Sequence, residues 1–348
     1  MMNIFLTISW HVRPAIIEFS IPWWIFGIIT FIILISFFIH RDSVKKNKDN
    51  SISLRSLFFI YFFFVLLFLW ITLRIKTHGG VWEGGLRWYS IFFVSGFILG
   101  WFIFKWFFQR EEINKNLMDP LLYTLLICTI VGARLGHCLF YQPDYYLGSW
   151  NGFLEIFMPW KGGLASHGGA IALILGIWWF AKHYGSKNHF DFVWLLDRLA
   201  IAVAFAAALI RLGNLFNSEI YGNVTNLPWG FIFEINGETE PKHPTQIYEG
   251  LIYLLLGIVL ILLYKYKLEK LYRGFFVSVF LIVCFGSRFF IEFIKEPQVE
   301  FEESMALNMG QLLSIPFILL GFAFLIWSFT KKMPARAITP TSRKQKVF

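Results

Sequence analysis

The chain has 348 residues, of which 57% are hydrophobic and only 15% are charged, and its mean hydropathy is +0.60. This composition excludes a soluble globular domain and indicates a polytopic membrane protein. The net charge of +9 is spread over short segments without a basic patch. It therefore argues against a nucleic-acid partner and for contact with anionic membrane lipid.

Nine segments are long and apolar enough to be membrane-spanning helices, which need about 20 mostly apolar residues. They are residues 21–39, 56–73, 88–108, 119–141, 164–181, 190–213, 246–264, 271–293 and 308–329. Hydropathy supports the segment 164–181 least, because it begins with His167 and two glycines. The sequence predicts an all-α, polytopic helical bundle with seven core transmembrane helices and two further helices at the N-terminus.

The basic residues predict which ends of the spans face the cytoplasm. One set of alternate loops holds 20 lysines and arginines, and the opposite set holds 7. Since basic loops stay on the cytoplasmic side, we expect an extracytoplasmic N-terminus and a cytoplasmic C-terminus. The longest polar loop, 214–245, is then an extracytoplasmic head region.

Composition divides the chain into three parts. Residues 1–85 form an N-terminal extension whose two spans carry no ionisable group, whereas residues 86–330 form a seven-helix domain that holds glycines and buried polar residues. The latter composition is typical of helices packed around a site. Residues 331–348 form a basic cytoplasmic tail, which we expect to be disordered.

Among the predicted spans, 190–213 has the most polar end. There, Arg211 is followed by Asn214, Glu219 and Gly222. Ionisable side chains in a span are costly unless they pair, reach water or meet a charged ligand, so Arg211 is a candidate functional residue. Asp197 lies 14 residues earlier, close to four helical turns, and therefore on the same helix face. Because it is far from the outer end, we expect Asp197 to stabilise the bundle.

His167 lies in a glycine-rich stretch at the start of the span 164–181. Glycine lets the backbone approach a ligand closely, and an imidazole is well suited to accept a proton near neutral pH. A histidine that only caps or hydrogen-bonds the helix end is the alternative.

Two more arginines fall near the predicted outer ends of spans. Arg288 and Glu292 are i, i+4 neighbours and can pair, and Arg134 precedes an aromatic pair at 140–141. Arginines from three helices could converge there to bind an anionic phospholipid headgroup, because guanidinium groups bind phosphate bidentately and stay charged. Interhelical ion pairs with Glu219, Glu292 and Asp197 are the competing interpretation.

These motifs, in this order, resemble those of the prolipoprotein diacylglyceryl transferase family from about residue 86 to residue 325. The matching segments are Leu86-Arg-Trp-Tyr89, Gly132-Ala-Arg134-Leu-Gly136, Gly162-Gly-Leu-Ala-Ser-His167-Gly-Gly169, Asp197, Arg211-Leu-Gly-Asn214, Glu219-Ile-Tyr-Gly222, Leu227-Pro-Trp-Gly230, His243-Pro-Thr-Gln246-Ile-Tyr248-Glu249, Arg288-Phe-Phe-Ile-Glu292 and Met309-Gly-Gln311. The family usually has seven spans, so the N-terminal pair is an addition, and Ser90 stands where the family usually has glycine.

The resemblance implies transfer of a diacylglyceryl group from phosphatidylglycerol to the lipobox cysteine of preprolipoproteins in the bacterial inner membrane. It implies no metal or other cofactor. His167, Arg211 and Arg288 match the family's essential residues, with His167 either deprotonating the thiol or positioning the headgroup. The remaining residues matched to phosphatidylglycerol binding are Tyr89, Arg134, Asn214, Glu219, Gly222 and Glu292. A transporter would also bury arginines, but the chain shows no internal repeat, and a structural scaffold would not explain polar motifs on one side.

Overall fold

A computed structural model describes residues 8–22, 25, 28, 81–158, 163, 165–296 and 307–337. Its contacts divide the chain into two units. In the smaller unit, residues 13–88, strand β2 (Ala15–Pro22) pairs antiparallel with strand β3 (Val81–Arg87), with a bulge between Ala15 and Ile17. The predicted spans 21–39 and 56–73 fall almost wholly outside the described residues.

The larger unit is a helical bundle. Its helices are α1 (Trp88–Arg110), α2 (Met118–Phe140), α3 (Pro143–Gly148), α4 (Trp150–Ile156), α5 (Ser166–Phe180), α6 (Phe192–Phe216), α7 (Thr245–Lys267), α8 (Phe275–Ile291) and α9 (Met309–Lys331). Six helical segments, containing α1, α2, α6, α7, α8 and α9, are long and apolar enough to cross a membrane. The prediction of a polytopic all-α membrane protein is confirmed. Beside the helices, strands β1 (Ile8–Trp10) and β4 (Phe231–Phe233) pair in parallel, which the sequence did not predict.

The predicted span 164–181 forms α5, which at 15 residues is shorter than the other six. It continues through the π-helical turn Ala181–Gly185 and a last turn to Asn188. Helix α5 packs on α2 through glycines: a Cβ on Gly168 would lie 2.4 Å from the Gly132 carbonyl oxygen and 2.7 Å from the Gly136 Cα. The glycines of the two motifs therefore allow the two backbones to touch.

A buried polar cluster closes the opposite end of the bundle from Arg211. The Glu111 carboxylate, fully buried, accepts hydrogen bonds from Arg198 (2.5 Å), from Trp194 Nε1 (2.8 Å) and from the Tyr264 hydroxyl (2.8 Å). Arg198 is also fully buried, and its guanidinium stacks on the Trp194 ring. Because both charges are compensated by hydrogen bonds and by each other, they can remain in an apolar bundle.

The chain after α9 packs into this cluster, so the expectation of a disordered tail is wrong for residues 332–337. Ala335 and Ala337 are buried. The Ala337 amide donates to Glu111 (2.7 Å), and the Ala335 carbonyl accepts from Arg198 (2.8 Å). The small side chains let this segment lie against the buried pair, where its backbone supplies a donor and an acceptor.

Ending the chain after Lys332 should therefore destabilise the protein. Glu111 and Arg198 would each lose a backbone partner in a buried site, at a cost of about 1–3 kcal/mol per unsatisfied group. The melting temperature in detergent measures this loss. A chain ending after Ala337 keeps both contacts and serves as the matched control; equal melting temperatures for the two truncations would contradict the assignment.

Asp197 anchors the start of α8, in agreement with the bundle-stabilising role expected for it. Its fully buried carboxylate accepts hydrogen bonds from the Gly274 amide (2.7 Å) and the Val277 amide (3.0 Å). Free amides at a helix N-terminus need acceptors. Since Gly274 has a φ of 90° and provides no capping side chain, Asp197 supplies the cap from the neighbouring helix α6.

The connection between α6 and α7 forms the head region predicted at 214–245. It contains β4, which pairs with β1, and the Trp10 indole donates to the Leu215 carbonyl (3.1 Å). Lys242 binds Glu238 (3.2 Å) and Glu296. Although burial opposes the charged form, hydrogen bonds to these carboxylates raise the pKa of Lys242 above its ordinary value.

Candidate functional site

Arg211 lies in the penultimate turn of α6, where it is held by two side chains. Its Nε is 2.8 Å from Oε2 of Glu249, a fully buried residue of α7. Its Nη1 donates to the Asn214 side-chain oxygen (3.3 Å). The Arg211 side chain is 12% exposed, so it is largely but not completely buried.

A strained turn follows α6 and places Glu219 beside Asn214. Ser218 and Ile220 have φ angles of 54° and 60°, an unusual region for a β-branched residue such as isoleucine. The Asn214 amide donates to the Glu219 carboxylate (2.7 Å), and Gln246 donates to the Glu219 backbone carbonyl (2.7 Å). These contacts from α6 and α7 hold the strained turn and group Glu219 with Arg211, as the sequence predicts.

Gly222 lies where the head region meets the end of α8. A Cβ there would lie 2.4 Å from the Ile294 carbonyl oxygen and 2.8 Å from the Cβ of His243. The Gly222 amide donates to the His243 carbonyl (2.8 Å). Burial lowers the pKa of His243, which favours its neutral form in this packed region. Only glycine fits at position 222 without displacing the backbone.

Replacing Gly222 by alanine should cost about 1–3 kcal/mol of stability, which is typical of overpacking. Because the displaced segment carries Lys295, whose backbone pairs with Gly222, activity should fall as well. Thermal unfolding and turnover measure the two effects. Gly148→Ala is the control, since a Cβ at that position meets nothing within 4 Å; similar behaviour of the two variants would contradict the prediction.

Arg288 and Glu292 form the i, i+4 pair that their spacing predicts, with Arg288 Nε 3.5 Å from Glu292 Oε1. The Arg288 side chain is 34% exposed, although its Nε is buried and has no hydrogen-bond partner among the described residues. Asn308 donates to the Glu292 carboxylate (3.3 Å) and fixes it. The exposed part of Arg288, not its buried Nε, is therefore what a ligand could reach.

Lys295 and Glu249, which were not among the predicted site residues, join the two arginines. Lys295 Nζ lies 3.1 Å from Glu249 Oε1 and 2.9 Å from Glu292 Oε1. The result is a charge row in the order Arg211, Glu249, Lys295, Glu292, Arg288. The three inner residues are at most 6% exposed, whereas the arginine at each end is partly exposed.

Of the other predicted residues, Tyr89 lies within range of the charges of Arg211 and Glu219, whereas no contact joins His167 or Arg134 to the charge row among the described residues. Tyr89 packs on the backbone of α6, since a Cβ on Gly213 would lie 2.8 Å from its ring. His167 is exposed at the start of α5, and its ring lies 5.7 Å from the Tyr141 ring. Arg134 is 3% exposed and donates to the backbone carbonyls of Glu155 (2.5 Å), Ile156 and Gly163. It ties the connection between α2 and α5 to α2.

The charge row has the properties of an anion site. It contains three cations and two carboxylates, so it carries one surplus positive charge before Glu219 is considered. The carboxylates hold the two partly exposed arginines in place, and guanidinium groups can donate several hydrogen bonds to phosphate oxygens. Such fixed donors can stabilise negative charge that develops during a reaction without reorganising.

A family model described as prolipoprotein diacylglyceryl transferase matches residues 80–327. Several relatives carry the name phosphatidylglycerol–prolipoprotein diacylglyceryl transferase. The Bacteroides fragilis protein is 41% identical in an alignment of 259 residues that covers 71% of this chain and 91% of that protein. The Porphyromonas gingivalis protein is 46% identical over 253 residues, covering 69% and 87%, and the Tolumonas auensis protein is 40% identical over 247 residues, covering 71% and 93%.

Proposed function

Because the chain belongs to the prolipoprotein diacylglyceryl transferase family, we propose that it modifies preprolipoproteins with lipid. The substrates are phosphatidylglycerol and the lipobox cysteine of the preprolipoprotein signal peptide. The cysteine sulfur bonds to the terminal glyceryl carbon of the diacylglycerol unit, and the bond from that carbon to the phosphate oxygen breaks. The products are a thioether-linked lipid and glycerol 1-phosphate, while the thiol proton passes to a base.

The charge row is the observation that carries this proposal. Phosphatidylglycerol has one anionic phosphate, and the leaving glycerol 1-phosphate gains a further negative charge. Arg211 and Arg288 bind the headgroup and stabilise that charge as fixed donors. The other residues assigned to phosphatidylglycerol are Tyr89, Asn214, Glu219, Gly222 and Glu292. Arg134, whose guanidinium nitrogens donate to backbone carbonyls, is assigned a supporting role in holding the connection between α2 and α5.

We assign His167 to the deprotonation of the thiol, because a thiol is a poor nucleophile until it loses its proton. Its exposed imidazole is accessible to a substrate, and the nearby aromatic rings of Phe140 and Tyr141 are suited to contact an apolar signal peptide. Positioning of the headgroup is the alternative role for His167.

The charge bias of the loops supports an orientation with the N-terminus outside and the C-terminus in the cytoplasm. In that orientation the charge row lies at the outer ends of α6 and α8 and the outer start of α7. Lipid would enter sideways from the outer leaflet, and the lipobox cysteine would arrive with a secreted precursor.

The experiment incubates membranes containing the protein with phosphatidylglycerol and a lipobox peptide. Release of glycerol phosphate that requires the peptide is expected. A peptide with serine in place of the lipobox cysteine is the control and should release none. Equal release with both peptides, or none with either, would contradict the proposal.

A further inference from the structure

Lys295 is buried between two carboxylates and has an unusual position for a lysine. It follows the short turn Glu292–Ile294 at the end of α8, and its side chain is 1% exposed. Its ammonium lies 3.1 Å from Glu249 and 2.9 Å from Glu292. A compact ammonium with three donors suits this bridging place.

Each of these carboxylates also holds one of the two partly exposed arginines. Glu249 lies 2.8 Å from Arg211 Nε, and Glu292 lies 3.5 Å from Arg288 Nε. Two buried carboxylates that share one ammonium would repel each other if that ammonium were removed. The glutamates would move apart, and each would then hold its arginine differently.

We propose that Lys295 is a positioning residue that sets the separation of Arg211 and Arg288 through Glu249 and Glu292. Its burial keeps it from the substrate, so it acts only through the row. The inference rests on the proposed function, in which the two arginines bind one phosphate. Their separation then decides whether both guanidinium groups reach that phosphate at once.

The backbone of Lys295 is fixed independently of the row. Its chain neighbour Ile294 accepts a hydrogen bond from the Asn223 amide (2.9 Å), and Lys295 itself pairs with Gly222. The head region therefore anchors the point from which the lysine reaches the two glutamates. Because the anchor is backbone, a change of the side chain alone alters the row without removing the anchor.

The test compares Lys295→Met with Lys242→Met in the full-length protein. Lys242 is a matched control, because it also bridges two carboxylates, Glu238 and Glu296. For Lys295→Met we expect turnover of phosphatidylglycerol to fall about 100-fold, the scale of a misplacement near 1 Å. Inhibition by added glycerol 1-phosphate should weaken, and the KM for the lipobox peptide should not change. Lys295→Arg, which keeps the positive charge but not the compact shape, should retain more turnover than Lys295→Met.

Lys242→Met should keep both turnover and inhibition by glycerol 1-phosphate. The proposal is overturned if Lys295→Met matches Lys242→Met, or if it loses turnover while inhibition by glycerol 1-phosphate is unchanged. If Lys295→Met is not recovered in folded form, Lys295→Gln is tested instead. Its turnover and its inhibition by glycerol 1-phosphate should likewise be weaker than those of Lys242→Met. An unmodified protein that transfers no lipid would instead refute the proposed function, so the two failures are distinguishable.

Discussion

Replacing Arg211 by lysine should lower kcat/KM for phosphatidylglycerol by about 100- to 1,000-fold, the range for removal of a fixed donor to developing negative charge. Arg211 uses one nitrogen for Glu249 and another for Asn214, and its guanidinium has further donors for a ligand. A lysine ammonium cannot repeat this planar arrangement. Turnover with varied lipid concentration measures the effect.

Arg110→Lys is the control for this substitution. Arg110 ends α1, donates to the Lys265 carbonyl (2.7 Å) and stacks on Trp106, and we assign it no role in lipid binding. Its variant should keep the activity of the unmodified protein. An Arg211→Lys protein that binds and turns over phosphatidylglycerol normally would remove the phosphate role from Arg211.

Replacing Arg198 by methionine should lower the free energy of unfolding by about 3–5 kcal/mol, the cost of breaking a buried ion pair from one side. Arg198 and Glu111 are both fully buried. The single substitution leaves the Glu111 charge without its cation in an apolar bundle. The apparent melting temperature in detergent, supported by the amount of folded protein in the membrane, measures the loss.

The double variant Arg198→Met, Glu111→Met separates the lost charge pair from lost packing. Replacement of a whole buried ion pair by apolar residues is often neutral or stabilising, so the double variant should recover most of the stability. The Tyr264 hydroxyl and the Ala337 amide would still lose an acceptor, so recovery should be incomplete. If the double variant is as unstable as Arg198→Met, the unpaired Glu111 charge is not the cause of the lost stability.

The sequence predicts those parts of the bundle that depend on local pattern. Six spans follow from runs of apolar residues, and the Arg288–Glu292 pair follows from its spacing along one helix. The grouping of Arg211 with Asn214 and Glu219 also follows, because all three lie within nine residues. These features require no knowledge of how distant helices pack.

The inner part of the charge row could not be predicted in this way. Glu249 stands in a matched motif, but its pairing with Arg211 depends on how α6 packs on α7. Lys295 lies just beyond the predicted span 271–293, and only the fold shows that it is buried between two glutamates. The sequence does carry one signal for its role: Lys295 follows closely after Arg288 and Glu292, which can pair with each other.

The C-terminal segment was predicted wrongly for a similar reason. Basic residues and prolines after Lys331 are typical of a disordered tail, and that composition determined the expectation. The contact between Glu111 and Ala337 spans 226 positions in the chain. Neither Glu111 nor Ala337 indicates this contact from its own place in the sequence. Glu111 needs a backbone donor only because the fold buries it together with Arg198.

The most direct test of the central claim follows which atoms of phosphatidylglycerol reach the peptide. The purified protein is given a lipobox peptide and phosphatidylglycerol labelled isotopically either in the diacylglycerol backbone or in the headgroup glycerol. We predict that the backbone label appears in the peptide and the headgroup label in released glycerol 1-phosphate, in equal amounts. Headgroup label or phosphate on the peptide, or a peptide that remains unmodified, would contradict the account.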